Sequence, residues 1–264
     1  MPAVDEKAVL YVDMLGFSAL TEKFPVETAD FAVVDRPNKK DFLRVKFEAL
    51  GNNKLIEHYT KFNMAVDDAV DWELLSEDRL TVISFSDSAF IAVDSVYTAI
   101  SMGRGIVTRL LRERIPVRCA VAFGSFVVLR FRSDLSLRAG THAAQFLGTG
   151  VVWSHAAAEL SRIKGMRILL HSSAAGVLDR PEHAAPAPDL AHVILPLPPE
   201  ERQNPARVTL EVSHLNGEPN NWDKELWDDV TAMKTEAPEA AQMHHVATLD
   251  SINRMRQALG REPL

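Results

Sequence analysis

Residues 9–20 read VLYVDMLGFSAL and residues 81–93 read TVISFSDSAFIAV, each an apolar run broken by a single aspartate, Asp13 and Asp87. Burying a carboxylate is costly unless it is paired or binds a metal, so the two interruptions ask for an explanation. AVLYVD has the β-branched and aromatic composition of a buried strand, and MLGFSALTEKF after it turns at Gly16 into a short amphipathic helix. RLTVISF and AFIAVDS read as two strands of a hairpin whose tip is Ser86-Asp87-Ser88. Taken singly, Asp13 suits a helix cap and Asp87 a turn. Together they sit at strand ends, where neighbouring strands would bring two repelling carboxylates side by side. A divalent cation removes that repulsion, and magnesium or manganese prefers carboxylate and carbonyl oxygens. The backbone N–H groups of Leu15, Gly16, Phe17 and Ser18 would favour phosphate oxygens, so the pattern points to metal-assisted chemistry on a nucleotide.

Outward from these stretches, apolar residues at helical intervals, among them Phe42, Val45, Leu55 and Tyr59, predict a helical segment over 41–62, broken near Gly51-Asn52-Asn53. VYTAISMGRGIVTRLLRERI predicts a helix with Ile100, Val107, Leu110 and Leu111 on one side, ended by Pro116. PVRCAVAFGSFVVLRF predicts two strands joined at Gly124, followed by a loop, a helix over 151–163 and the strand MRILLHSS. The expected fold is α+β, a mostly antiparallel sheet with packed helices. After Ala175 the chain is rich in proline, then recovers a strand pattern in VTLEVSHLN. It closes with a helix over 236–259 whose stripe is Met243, Val246, Leu249, Ile252, Met255 and Leu259. One domain over 1–264 is expected, with a core at 6–175 and an elaboration at 176–264.

The 264 residues are 47% hydrophobic, enough for a sizeable core. A single cysteine, Cys119, excludes an internal disulfide and reads as a small buried residue. A net charge of −7 argues against nucleic-acid binding, while Arg130, Arg132 and Arg138 leave a local polyphosphate pocket conceivable. Neither a long apolar span nor a signal-like start is seen, so no stable membrane insertion and a cytoplasmic location are expected.

VDMLGFSAL resembles the opening signature of class III nucleotidyl cyclases, and SFSDSAFIA their second metal-binding hairpin. RCAVAFG and GTGVVWSHAAAELSRIKGMRILLHSSA resemble the paired strands and the closing helix and strand that follow, so the likeness spans residues 6–175 in order. The details resemble the pyrimidine (uridylate or cytidylate) cyclases of the Pycsar anti-phage defence systems. The resemblance implies a ferredoxin-like class III fold and a homodimer. It also implies a nucleoside triphosphate substrate, UTP or CTP, cyclised to 3′,5′-cyclic UMP or CMP that acts on a separate effector. Two Mg2+ or Mn2+ ions would be bound by Asp13, Asp87 and the Met14 carbonyl, with Asp13 and Asp87 the catalytic pair.

Two departures stand out. Ile83 occupies the place of the lysine that reads adenine, which disfavours ATP; Ser84 and Thr81 are polar alternatives nearby. The asparagine and arginine of the closing helix fall on His155 and Glu159, and a glutamate cannot stabilise charge building up on phosphate. Arg118, Arg130, Arg132 and Arg138 are the candidate replacements, with Arg118 and Arg138 placed in the nucleotide site alongside Ile83 and the turn at 15–18. His155 and Glu159 read otherwise as a surface pair, His244-His245 as part of a surface helix, and Trp222 and Trp227 as packing anchors. Phe17 is expected in the core. A catalytically silent cyclase-like domain, an adenylate or guanylate cyclase and a metal-dependent phosphohydrolase are the alternative readings.

Overall fold

The computed structural model describes residues 5–26, 53–74, 80–130, 144–185, 193–215 and 222–264. β1 (Glu6–Met14) is the strand on which the rest is built. Its even-numbered residues Ala8, Leu10, Val12 and Met14 point into one core and Val9 and Tyr11 into the other. A strand covered on both faces needs an unbroken apolar run, which is what 8–12 supplies. β1 is flanked by two antiparallel neighbours, β3 (Ser88–Val93) and β4 (Val117–Ser125). β2 (Thr81–Ser84) pairs with β3 as the expected hairpin. β7 (Ile168–His171) runs parallel to β4, then β9 (Val208–Val212) and β8 (Ile194–Pro196) complete the sheet in the order β2-β3-β1-β4-β7-β9-β8. A separate ribbon joins β5 (Val127–Arg130) to β6 (Ala144–Leu147).

Helices cover both faces. α1 (Phe17–Lys23) follows β1 directly, and α2 (Lys54–Leu74) and α3 (Val96–Arg112) pack on the Leu10 face. Ser95 caps α3 through its hydroxyl, and Arg109 and Arg112 stand at the opposite end, where cations suit the helix dipole. α4 (Thr149–Glu159) packs on the Tyr11 face. The short α5 (Ser172–Ala175) extends β7. α6 (Trp222–Glu236) and α7 (Glu239–Ala258) return to the Leu10 face, where Leu226, Val230, Ile252 and Met255 share the core with β1 and β4.

Several boundaries differ from the sequence reading. The bend after β4 falls at Phe126, because Gly124 is still paired with Lys7 of β1. The helix expected to stop at Phe62 continues to Leu74, and it begins where Asn53 Oδ1 accepts from the N–H groups of Leu55 and Ile56. α4 starts two residues earlier and ends four residues sooner than expected, since the chain leaves the helix at Leu160. The expected C-terminal helix begins three residues later, at Glu239 after Pro238, and is preceded by α6, which the sequence reading did not foresee; along α7, Met243 and Val246 are exposed while Leu249, Ile252 and Met255 are buried. Proline-rich 194–196 forms the edge strand β8, a position where a missing N–H is tolerated. Residues 41–52 of the expected helical segment, and Arg132 and Arg138, lie outside the described residues.

Candidate active site

Asp13 is the penultimate residue of β1, paired across the sheet with Ser88 on one side and Arg118 on the other. The N–H of Met14 donates to the carbonyl of Asp87 at 2.8 Å, which ties the end of β1 to the tip of the β2–β3 hairpin. The two aspartates therefore meet through backbone pairing, independently of their side chains. Asp13 does not cap α1: Gly16, left-handed at φ 78°, stands at the helix start with no side-chain cap. Ser86 Oγ donates to Asp87 Oδ1 at 3.0 Å and orients that carboxylate.

Asp13 lies on the α4 face with a side chain only 15% exposed. Its oxygens take the Tyr11 hydroxyl at 3.4 Å and Arg118 Nη2 at 3.3 Å. Arg118 also forms an ion pair with Glu159, at the end of α4. Burial pushes the Asp13 carboxyl up to about 7; the Glu159 charge adds to the rise, Arg118 opposes it, and a hydrogen bond with Glu159 and the charge of Asp87 raise it further. Crowded carboxyl groups with one cation between them leave negative charge uncompensated, which a divalent ion at Asp13 and Asp87 would relieve. The donor set is thus the right kind for magnesium or manganese.

The turn at 15–18 is partly committed elsewhere. The Leu15 N–H donates to the Pro116 carbonyl at 2.9 Å, so it is not free for a phosphate. Gly16 and Ser18 are exposed, and Leu15 and Phe17 pack at the edge of the Leu10 core. Ile83 lies opposite Phe90 on the Tyr11 face, on the same side of the sheet as Asp13. Arg118 is at the site, already engaged by two carboxylates, while Arg138 is outside the described residues.

Other expectations are revised. His155 and Glu159 do not pair with each other: His155 meets the Tyr11 ring edge-on at 5.2 Å and Glu159 reaches Arg118. His245 is buried and His244 accepts from the Gly165 N–H at 3.3 Å, so that segment is not a surface helix face. Trp222 and Trp227 pack against the Leu10 core. Tyr11, unnoticed in the sequence, lies two residues before Asp13 and so on its face of the strand, and strand periodicity alone could have placed it there.

No family model and no curated protein matches the chain. Solved structures do. A bacterial light-regulated adenylyl cyclase matches at 11% identity and a TM-score of 0.51, over 89% of this chain and 58% of that one. The fold is that of the class III nucleotidyl cyclases. The guanylyl cyclase Cya2 matches at 14% identity and TM-score 0.49, over 82% of this chain and 95% of that one. The adenylyl cyclase CyaB from P. aeruginosa matches at 14% identity and TM-score 0.45, over 79% and 95%. In this chain the Asp13–Asp87 junction lies at the C-terminal end of β1, and Glu159 reaches its neighbour Arg118 from α4.

Proposed function

We propose that the chain is a nucleotidyl cyclase acting on a pyrimidine nucleoside triphosphate, UTP or CTP, and releasing the 3′,5′-cyclic nucleotide and pyrophosphate. The observation that supports this is the Met14–Asp87 backbone hydrogen bond, which holds the end of the Asp13 strand against the Asp87 turn on a cyclase fold. Asp13, Asp87 and the Met14 carbonyl would hold Mg2+ or Mn2+ there. Bound ions would acidify the ribose 3′-hydroxyl and offset the triphosphate charge. The chain's own part is positional. The β1–β3 pairing fixes the carboxylates, Tyr11 and Arg118 orient Asp13, and apolar Ile83 lies on the same face, where it would read the base without a charged group. The 3′-oxygen bonds to the α-phosphorus, the bond to the β-phosphate breaks, and the hydroxyl proton is released.

A homodimer fits the α4 side of the molecule. Phe85, beside Phe90 and Phe146, Val152 of α4 and Leu160 at its end are between 47% and 63% exposed, apolar side chains that a partner subunit would cover. Among the described residues no helix is long and apolar enough to cross a membrane. The product is proposed to act on a separate effector protein in anti-phage defence.

A second reading, a catalytically silent nucleotide-binding domain, is favoured by one observation: Glu159 adds a negative charge beside Asp13 where phosphate would gather. Incubating the protein with each of the four nucleoside triphosphates and Mn2+ decides between them. Cyclic product and pyrophosphate from UTP or CTP are expected. Asp13→Asn and Asp87→Asn should each cut turnover by about a thousandfold, the loss of several kcal/mol of metal-borne stabilisation. Product from ATP or GTP instead would overturn the pyrimidine assignment, linear monophosphate would indicate a phosphohydrolase, and no product from any nucleotide would leave the silent domain.

A further inference from the structure

Three elements converge on one guanidinium. Arg118 faces Asp13 across the β1–β4 pairing, its Nη2 lies 3.3 Å from Asp13 Oδ2, and the same nitrogen forms the ion pair with Glu159 Oε2. All three side chains are largely covered, at 17% exposure for Arg118, 15% for Asp13 and 25% for Glu159. The other Asp13 oxygen takes the Tyr11 hydroxyl. Both oxygens of the carboxylate are therefore engaged, and a divalent ion cannot share Asp13 with a cation already seated on it without strong repulsion.

We propose that Arg118 is an exchangeable counter-ion of Asp13, displaced when a divalent ion arrives, and that Glu159 is the positioning residue that keeps the displaced guanidinium beside the site. Glu159 is attached to α4 and not to β1, so its hold on Arg118 persists when Asp13 lets go. The freed face of the guanidinium is then presented to anionic phosphate, the geometry in which arginine binds best. The phosphate step rests on the cyclase reading; the exchange at Asp13 does not. Glu159, which is the wrong charge to touch a phosphate, acts through the arginine it holds.

The test uses Mn2+ alone and then pyrophosphate, with the whole protein and no nucleotide. Free Mn2+ is followed by its electron paramagnetic resonance signal for wild type, Arg118→Gln, Glu159→Gln and the double variant. Arg118→Gln is expected to bind Mn2+ about tenfold more tightly, because one like charge has left the site. With Mn2+ saturating, the same variant is expected to bind pyrophosphate about tenfold more weakly, having lost a charge-assisted contact. Glu159→Gln is expected to weaken Mn2+ binding several-fold by leaving Arg118 to Asp13 alone, and that effect should shrink at least threefold in the Arg118→Gln background, roughly the non-additivity of groups in one network. Arg118→Lys is measured in parallel, so that a poorly folding glutamine variant does not decide the matter; it keeps the charge without bridging two carboxylates and should fall between. Additive effects of the two substitutions overturn the proposal, as does an Arg118 variant that shifts Mn2+ and pyrophosphate binding in the same direction. Failure of the cyclase reading would look different: no cyclic product from any nucleotide, with the Mn2+ coupling intact.

Discussion

Gly16 and Gly148 are both glycines with positive φ, and the structure asks different things of them. At Gly16, φ is 78° and a Cβ would meet nothing within 4 Å, so only the left-handed backbone opposes a side chain. Gly16→Ala should therefore cost about 1 kcal/mol, the usual αL penalty. At Gly148, φ is 144° and a Cβ would collide with the Ser125 carbonyl, because the start of α4 lies against the end of β4. Gly148→Ala should cost about 3 kcal/mol, since backbone has to move. Urea midpoints of the two variants compare them directly, and equal losses would contradict the distinction. The sequence showed Gly16 at a turn and Asp13 at a strand end, because both follow from local pattern. It could not show Arg118 between Asp13 and Glu159, since that contact depends on the register of β1 with β4 and on where α4 ends.

Among the elements, β7, β9 and α7 are joined by a buried charge network. Arg167, 1% exposed, donates to Glu211 at 2.5 Å and to Glu201 at 2.7 Å. Glu211, fully buried on β9, also meets Arg254 of α7 at 2.6 Å and accepts from Ser251 at 3.2 Å. Glu211→Ala leaves the Arg167 guanidinium without its inner partner and should cost about 3–5 kcal/mol. Paired replacement, Glu211→Leu with Arg167→Met, should recover part of that loss in thermal unfolding, because the two charges it leaves without these partners, Arg254 and Glu201, are 29% and 22% exposed, whereas Arg167 is 1% exposed. Along α7 the same logic separates residues of one apparent stripe. Ile252→Ala, at a fully buried position, should cost about 2–5 kcal/mol, whereas Met243→Ala, 51% exposed, should stay within about 0.5 kcal/mol. Periodicity made the strands and α3 legible, since their apolar spacing is set by one sheet. It misjudged the C-terminal helix because a stripe counted at intervals of three drifts around a helix of about 3.6 residues per turn, which puts Met243 on the side away from Ile252. The buried Glu211 was invisible in VTLEVSHLN because its partners come from other elements.

Across the whole molecule, buried histidines and the crowded carboxylate set opposite pH limits. His214 is 1% exposed, neither ring nitrogen has a hydrogen-bond partner among the described residues, and burial, aided by Arg104 and Arg167, pushes its pKa down to about 4. Burial likewise lowers His58 and His244 to about 4. A histidine depressed in the fold contributes stability that is complete above its ordinary value of 6.5 and is lost as pH falls through about 4. For His214 the loss amounts to about 3 kcal/mol, so His214→Leu should flatten the acid limb. Asp13 works the other way. Its carboxyl is raised from 3.8 to about 7, so its contribution is complete below the lower value and disappears as pH rises through the higher one. Between about pH 4 and 6.5 the two effects oppose each other, and three lowered histidines outweigh one raised carboxyl. The melting temperature of metal-free protein should therefore rise to about pH 6.5 and change little above about pH 7, with His214→Leu lessening the acid loss and Asp13→Asn raising the melting temperature relative to wild type at about pH 7 and above. A divalent ion that binds ionised Asp13 must act chiefly where that group is ionised, at about pH 7 and above. Saturating Mn2+ should raise the melting temperature of wild type by several degrees at pH 8 and by much less at pH 5, and should leave Asp13→Asn unmoved at both. An equal shift at the two pH values, or one that survives Asp13→Asn, would mean that the ion binds elsewhere on the protein.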